Sequence, residues 1–237
     1  FFLMMTEKCP LFGPFLAETI GPDAHAICYM DGTVPGNPLR PDSGRAYEAV
    51  YWTFLELPEW MRKHSKNWFP FMYVTKSDMK KANCSVSALV NILVKKMWLE
   101  TDVHTLGLHF HSRGGLKRMV LKYGGWLADD LCIYELGSCK GQQSCKPCPC
   151  CLNIVGRCDP ATLRGHGYKR HVHTCWDEAE FQRATAEDYA EMCTRIESLH
   201  QMRAPKTAIE KLEIACGIKY EPEGAMFNPR ARALVRF

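Results

Sequence analysis

Two strand-like runs that each end in an aspartate, a long helical pattern between them and a cysteine-dense segment behind them predict an α/β (α+β) chain. The expected architecture is a mixed sheet flanked by helices, with a Cys/His-rich insertion and a helical C-terminal segment. Three segments follow from this reading: a core over 1–138, the insertion over 139–176 and a helical stretch over 177–237.

Pro10 to Ile20 is a weakly helical lead-in. Ala24 to Met30 is a short, mostly apolar strand that ends at Asp31-Gly32, and a Pro-, Gly- and Asn-rich loop carries the chain to Ser43. Ala46 to Leu57, AYEAVYWTFLEL, is aromatic and β-branched enough for a second strand; Pro58 ends it, and Trp68 to Val74 is a third. Strands this close in sequence pair as antiparallel hairpins. Ser77 is the expected N-cap of a helix to about Trp98, with Val86, Leu89, Val90, Leu93, Val94 and Met97 at helical spacing. Glu100 to Lys117 turns polar and basic (His104, His109, His111, Arg113), as a solvated loop does.

Met119 to Ala128 is the fourth strand, with Gly124-Gly125 near its end and Asp129-Asp130 at its tip; a short helix, Leu131 to Gly137, follows. After the cysteines, helices are expected over Ala186–Met202 and Lys206–Cys216, broken at Pro205 and stopped at Gly217. Their basic residues read as a solvated face.

Three strands, a long helix, a fourth strand and a short helix form the opening order of an RNase H-like fold. There the first and fourth strands end side by side at the rim of the sheet. Asp31 and Asp129 would meet, although 98 positions separate them. Neighbouring carboxylates repel, and a divalent cation between them relieves the repulsion. Taken singly, Asp31 is a turn residue, and Asp129 or Asp130 is a helix N-cap.

Of thirteen cysteines, eight fall between Cys132 and Cys175, among His166, His171 and His173. Clustering with histidine favours metal over a disulfide scaffold, and with it a reducing compartment. Cys145, Cys148 and Cys151 form two overlapping C-x2-C pairs, a spacing from which two thiolates reach one tetrahedral zinc. Cys148 and Cys151 with His173 and Cys175 are the expected structural zinc ligands, with Cys145 and His171 as substitutes. Free buried thiols are the plainer alternative.

At 237 residues and 46% hydrophobic the chain can bury a core, and a net charge of +4 permits a nucleic-acid partner without requiring one. No run of apolar residues is long enough for a membrane span, and Phe1 to Met5 lacks the basic flank of a signal peptide. The chain opens at Phe1 and stops inside an apolar run, so a piece of a longer protein is expected. Neither a G-x-x-x-x-G-K-[ST] loop nor a G-x-G-x-x-G turn is present, which argues against nucleotide chemistry.

Tyr29-Met30-Asp31-Gly32-Thr33, the strand ending Phe54-Leu55-Glu56-Leu57-Pro58, the Trp-Phe-Pro run at 68–70, Gly125-Trp-Leu-Ala-Asp129, and Cys139-Lys-Gly followed by Lys146-Pro-Cys148-x2-Cys151 resemble the catalytic core of CACTA/Plavaka-type transposases. The resemblance covers roughly 23 to 229. It implies an RNase H-like domain that cuts and rejoins the DNA of transposon ends with three acids and Mg2+ or Mn2+. Asp31 would be the first acid and Asp129 the second, with Asp130 beside it as the alternative. The third would lie on a later helix in an Asp-x-x-His-like motif, which is not found after Phe227. Glu221 and Glu223 precede the expected position, so the implied site is truncated. Lys117, Arg118 and Lys122 would meet the phosphate backbone, in a nuclear or cytoplasmic protein able to form an oligomer. Two other readings compete: a catalytically dead, zinc-stabilised nucleic-acid-binding or scaffold protein, and a redox protein using Cys148/Cys151. Against the second, no helix begins cleanly after that pair.

Overall fold

A computed structural model of the chain describes residues 2–33, 46–155 and 178–234. It divides into two compact units: residues 1–83 with 93–129, and residues 84–92 with 130–237.

The first unit is built on a five-stranded mixed sheet in the order β3-β2-β1-β5-β4, formed by β1 (Asp23–Thr33), β2 (Tyr47–Phe54), β3 (Phe69–Thr75), β4 (Leu108–Ser112) and β5 (Gly115–Leu127). The first three strands pair antiparallel, and β5 runs parallel to β1. β1 is central because it can be buried on one whole side: Ala24, Ala26, Cys28 and Met30 are all small or flexible, and each is at most 1% exposed. Their neighbours across β2, Val50, Trp52 and Phe54, are buried on that same face.

Two N-terminal helices, α1 (Phe2–Lys8) and α2 (Phe12–Phe15), pack against β4. Phe2 sets its ring 5.9 Å from Trp52 and 6.3 Å from Phe54. α2 lies so close that a Cβ at Gly13 would run into the carbonyl oxygen of His111. The expected lead-in helix over 10–20 is α2 continued by one wide turn, Leu16–Ile20, and a short α3 (Glu59–Arg62) lies between β2 and β3.

Two expectations need correction. The helix expected from Ser77 to Trp98 is divided. Thr75 caps a short α4 (Lys76–Lys81), its Oγ1 accepting from the Asp78 N–H at 3.0 Å. Asn83, at φ 50°, turns the chain out, and Ser85 starts α5 (Val86–Val94) by accepting from the Ala88 N–H at 3.1 Å. The polar stretch 100–117 holds a strand as well as a loop. Phe110 points into the core at 1% exposure while His109 is exposed, and the two-residue turn Arg113-Gly114 leads into β5.

Where β1 meets β5, Gly124 has no partner of its own, and Gly125 adopts φ 138°. Only glycine reaches that conformation without strain. Beyond the bulge the pairing resumes, Ile27 with Gly125 and Tyr29 with Leu127.

The second unit is helical. α6 (Asp130–Leu136) leads into the cysteine segment; α7 (Ala186–Gln201), α8 (Lys206–Cys216) and α9 (Pro229–Leu234) follow. Thr185 and Asp188 close a reciprocal capping box at the start of α7. Gly217 ends α8 in the left-handed conformation, as expected from the sequence. Tyr189, Met192, Cys193 and Ile196 of α7 meet Leu212, Cys216, Ile218, Met226 and Phe227 in one core. Glu213, buried on α8, accepts from Lys140 Nζ at 2.9 Å and from the Tyr220 N–H at 2.9 Å.

Replacing Gly13 with alanine will force α2 off β4. We expect a loss of about 2 kcal/mol, a fall in Tm of roughly 4–8 °C. Gly114→Ala, where the added methyl meets only the Lys117 side chain at 3.5 Å, will leave Tm unchanged in the same thermal melt.

Candidate functional site

Asp31 stands near the end of β1, opposite Ala49 of β2, and is exposed. Asp129 follows β5 and is exposed too. The last parallel pair is Tyr29 with Leu127, and each aspartate lies two residues beyond it. Two parallel strands about 4.8 Å apart therefore deliver both acids to the same end of the sheet. Asp130 opens α6.

Glu48 is the nearest further carboxylate along the strands. It pairs with Gly32, the residue after Asp31, but belongs to the opposite, buried face and is held by Lys76 at 3.0 Å. Glu221 is occupied elsewhere: its carboxylate accepts from Ser85 Oγ at 2.8 Å, Ser138 Oγ at 3.0 Å and Lys219 Nζ at 3.0 Å.

The face that bears Asp31 also bears rings. Counting in twos along the register, Tyr29, Tyr51, Tyr47 and Tyr73 share it. Their centroids form a chain: Trp68 to Tyr29 at 5.9 Å, Tyr29 to Tyr51 at 6.5 Å, Tyr51 to Tyr73 at 5.9 Å and Tyr73 to Tyr47 at 6.0 Å. The Tyr51 and Tyr73 hydroxyls are hydrogen-bonded at 3.3 Å. That bond, then burial and the neighbouring tyrosines and Asp31, holds the Tyr51 phenol protonated up to about 12. No motif announced this cluster; its only sequence signal was the spacing Tyr47-x3-Tyr51 within an aromatic strand.

The three basic residues expected to meet phosphate are exposed but lie toward the other end of the sheet. Lys122 is level with His25 and paired with Asp23 at 3.0 Å. Arg118 Nη2 donates to the Thr105 carbonyl at 2.8 Å, and Lys117 pairs with Phe110 across β4. From Lys122 to Asp129 is roughly 20 Å of extended chain. Between the hairpins, His25 Nδ1 is bound to Glu56 at 2.7 Å.

In the second unit, the Cys148 thiol neighbours those of Cys150 and Cys151 and helps to raise both. Cys151 pairs in a short bridge with Arg183, whose Nη1 lies 3.9 Å from its sulfur. Cys145 is buried and anchored by its N–H to the Ile214 carbonyl at 2.9 Å. The other two expected ligands, His173 and Cys175, and the substitute His171, lie outside the described residues. Among the described residues, no group of three or more His, Cys, Asp or Glu side chains is placed to hold a metal ion.

Burial sets the chemistry of these thiols. It raises Cys139 to about 12, and Cys151, Cys193 and Cys216 each to about 11. Burial also lowers the Lys146 ammonium, flanked by Cys145 and Pro147, to about 8. A thiol raised in the folded state keeps its full stabilising contribution below the unfolded value near 9, and loses it as pH climbs to 11 or 12. Lys146 acts oppositely, stability rising between about 8 and 10.5, but it is one group against four. Stability will therefore fall above pH 9, by about 1.4 kcal/mol per pH unit for each of the deeply buried Cys139, Cys193 and Cys216. Denaturant unfolding at pH 8 and pH 10.5 followed by circular dichroism checks the sign, with Cys193→Ala and Cys216→Ala flattening the slope.

No helix among the described residues is long and apolar enough to cross a membrane. No family model matches the chain, and no curated protein matches it.

Proposed function

We propose that the chain is part of the metal-dependent, RNase H-like core of a transposon-derived DNA transposase, a core that cuts and transfers DNA strands and whose acid site is incomplete within this stretch. The observation that carries this reading is the placement of Asp31 and Asp129 at the same end of two parallel strands. Exposed carboxylates on stiff backbone form a hard oxygen site, suited to Mg2+ or Mn2+. When bound, such ions stabilise the attacking and leaving oxygens of an in-line displacement at phosphorus. Asp31, from the central strand, would serve as the shared ligand, and Asp129 would hold one side. Lys117, Arg118 and Lys122 would take the phosphates of DNA farther along, contacts that carry no base information. The resemblance places a third acid on a later helix. Cys148 and Cys151, with His173 and Cys175, would hold a structural zinc that clips the insertion. A nuclear location and an oligomer at transposon ends belong to the same reading.

Two experiments test it. Mn2+ titration followed by electron paramagnetic resonance should show binding that weakens at least tenfold in Asp31→Asn and in Asp129→Asn, with melting unchanged; Mn2+ held equally by both variants would remove the acid pair from consideration. Metal analysis of the reduced protein should give about one zinc per chain, lost in Cys148→Ser/Cys151→Ser. Because burial keeps Cys151 protonated to about 11, zinc uptake should release protons and tighten as pH rises from 6 to 8. Uptake without proton release would point to other ligands.

A further inference from the structure

We propose that the outward face of β1, β2 and β3 is a stacking platform that receives the unpaired bases of a nucleic-acid strand and leads it to the rim bearing Asp31. This rests on the nucleic-acid reading above, and narrows it to single-stranded substrate held by rings.

Ile27, Ala49 and Thr53 on this face are buried, but around them its rings are unusual for a sheet surface. Tyr73 is 57% exposed, Phe71 37% and Tyr29 36%. With Trp68 and Tyr51 they leave π surface in water where threonine or lysine would cost less. Hydroxyl-tipped rings, rather than exposed leucine or valine, suit flat polar ligands better than a dry protein interface.

The charge around the strip gives the second argument. Lys66 precedes Trp68 at one end of β3, and Lys76, Lys80 and Lys81 follow it at the other; all four are exposed. Lys76 is paired with Glu48 and Lys81 with Asp78, while Lys66 and Lys80 enter no ion pair among the described residues. Rings bracketed by cations are what a strand with splayed bases requires: the backbone meets charge at both ends and the bases meet π faces between. A duplex hides its bases and cannot use the rings.

The test uses the full chain with a fluorescein-labelled oligothymidylate, read by anisotropy at low salt and without divalent metal. The wild-type chain should bind it more tightly than a blunt duplex of equal length. Tyr29→Ala and Tyr73→Ala should each weaken binding about tenfold, and Tyr73→Phe should stay within about twofold, since the ring and not the hydroxyl makes the contact. If Tyr29→Ala fails to fold, Tyr73→Ala, at the most exposed ring, carries the test. Irradiating a 5-iodouracil oligonucleotide should cross-link it to Tyr29, Trp68 or Tyr73. No binding by the wild-type chain, affinity unchanged in both alanine variants, or a cross-link away from β1 to β3 would overturn the platform. Because the assay contains no divalent ion, its failure leaves the Mn2+ test of the acid pair standing, and the converse holds.

Discussion

The first unit depends on one non-local pairing, the parallel ladder between β1 and β5. Everything from residue 34 to 114 intervenes between the two strands, and a parallel pair cannot form without such a crossover. The ladder also has to change register once. Without the unpaired Gly124 and the φ of 138° at Gly125, the residues after the bulge would be one step out. A one-residue slip turns every side chain to the other face. Leu127 would lose its place beside Tyr29, the last parallel pair before Asp31 and Asp129. The glycine pair thus sets the register in which Asp31 and Asp129 each lie two residues beyond that last pair.

The same ladder divides the sheet's chemistry. One face of β1 and β2 is given to Ala26, Cys28, Met30, Val50, Trp52 and Phe54, all buried. The other face is buried as well at Ile27, Ala49 and Thr53, and carries rings and a carboxylate where Tyr29, Tyr47, Tyr51 and Asp31 stand. Glu48 shows the cost of the reverse arrangement. It is a carboxylate on the buried face, and it is kept there by Lys76 and by the space left at Gly32, where a Cβ would come within 3.2 Å of its oxygens. Asp31, one residue earlier and on the open side, needs no such accommodation.

Much of this was legible in the sequence, and the parts that were not share a cause. β2 and β3 are rich in aromatic and β-branched residues, β1 and the body of β5 are mostly apolar, and α7 and α8 carry clear caps and stops, so local pattern sufficed. That Asp31 and Asp129 lie toward the same end of the sheet followed from the order of elements. β4 escaped because Leu108, Phe110 and Ser112 alternate with histidines, a pattern shared by polar loops. The break at Asn83 escaped because a helical face of apolar residues continues on its far side and only a positive φ separates α4 from α5. The ring cluster was invisible for another reason: Tyr29, Tyr51, Trp68 and Tyr73 become neighbours only through two hairpin registers, which the sequence implies but does not state.

The thiols of the second unit sort by the same logic of burial. Cys193 and Cys216 are at most 3% exposed within the helical core, raised to about 11, and they serve as small apolar side chains. Cys148 and Cys150 are only half-buried, and Cys151, though covered, has Arg183 beside its sulfur. A cation there lowers the cost of a thiolate, opposing the burial that raises it. A zinc bound at Cys148 and Cys151, as proposed, would have to displace thiol protons, and Arg183 beside the Cys151 sulfur would ease that loss. Such a site would hold its zinc against the thiol protons, and its occupancy would couple to pH through the same groups that make the unit sensitive to alkali.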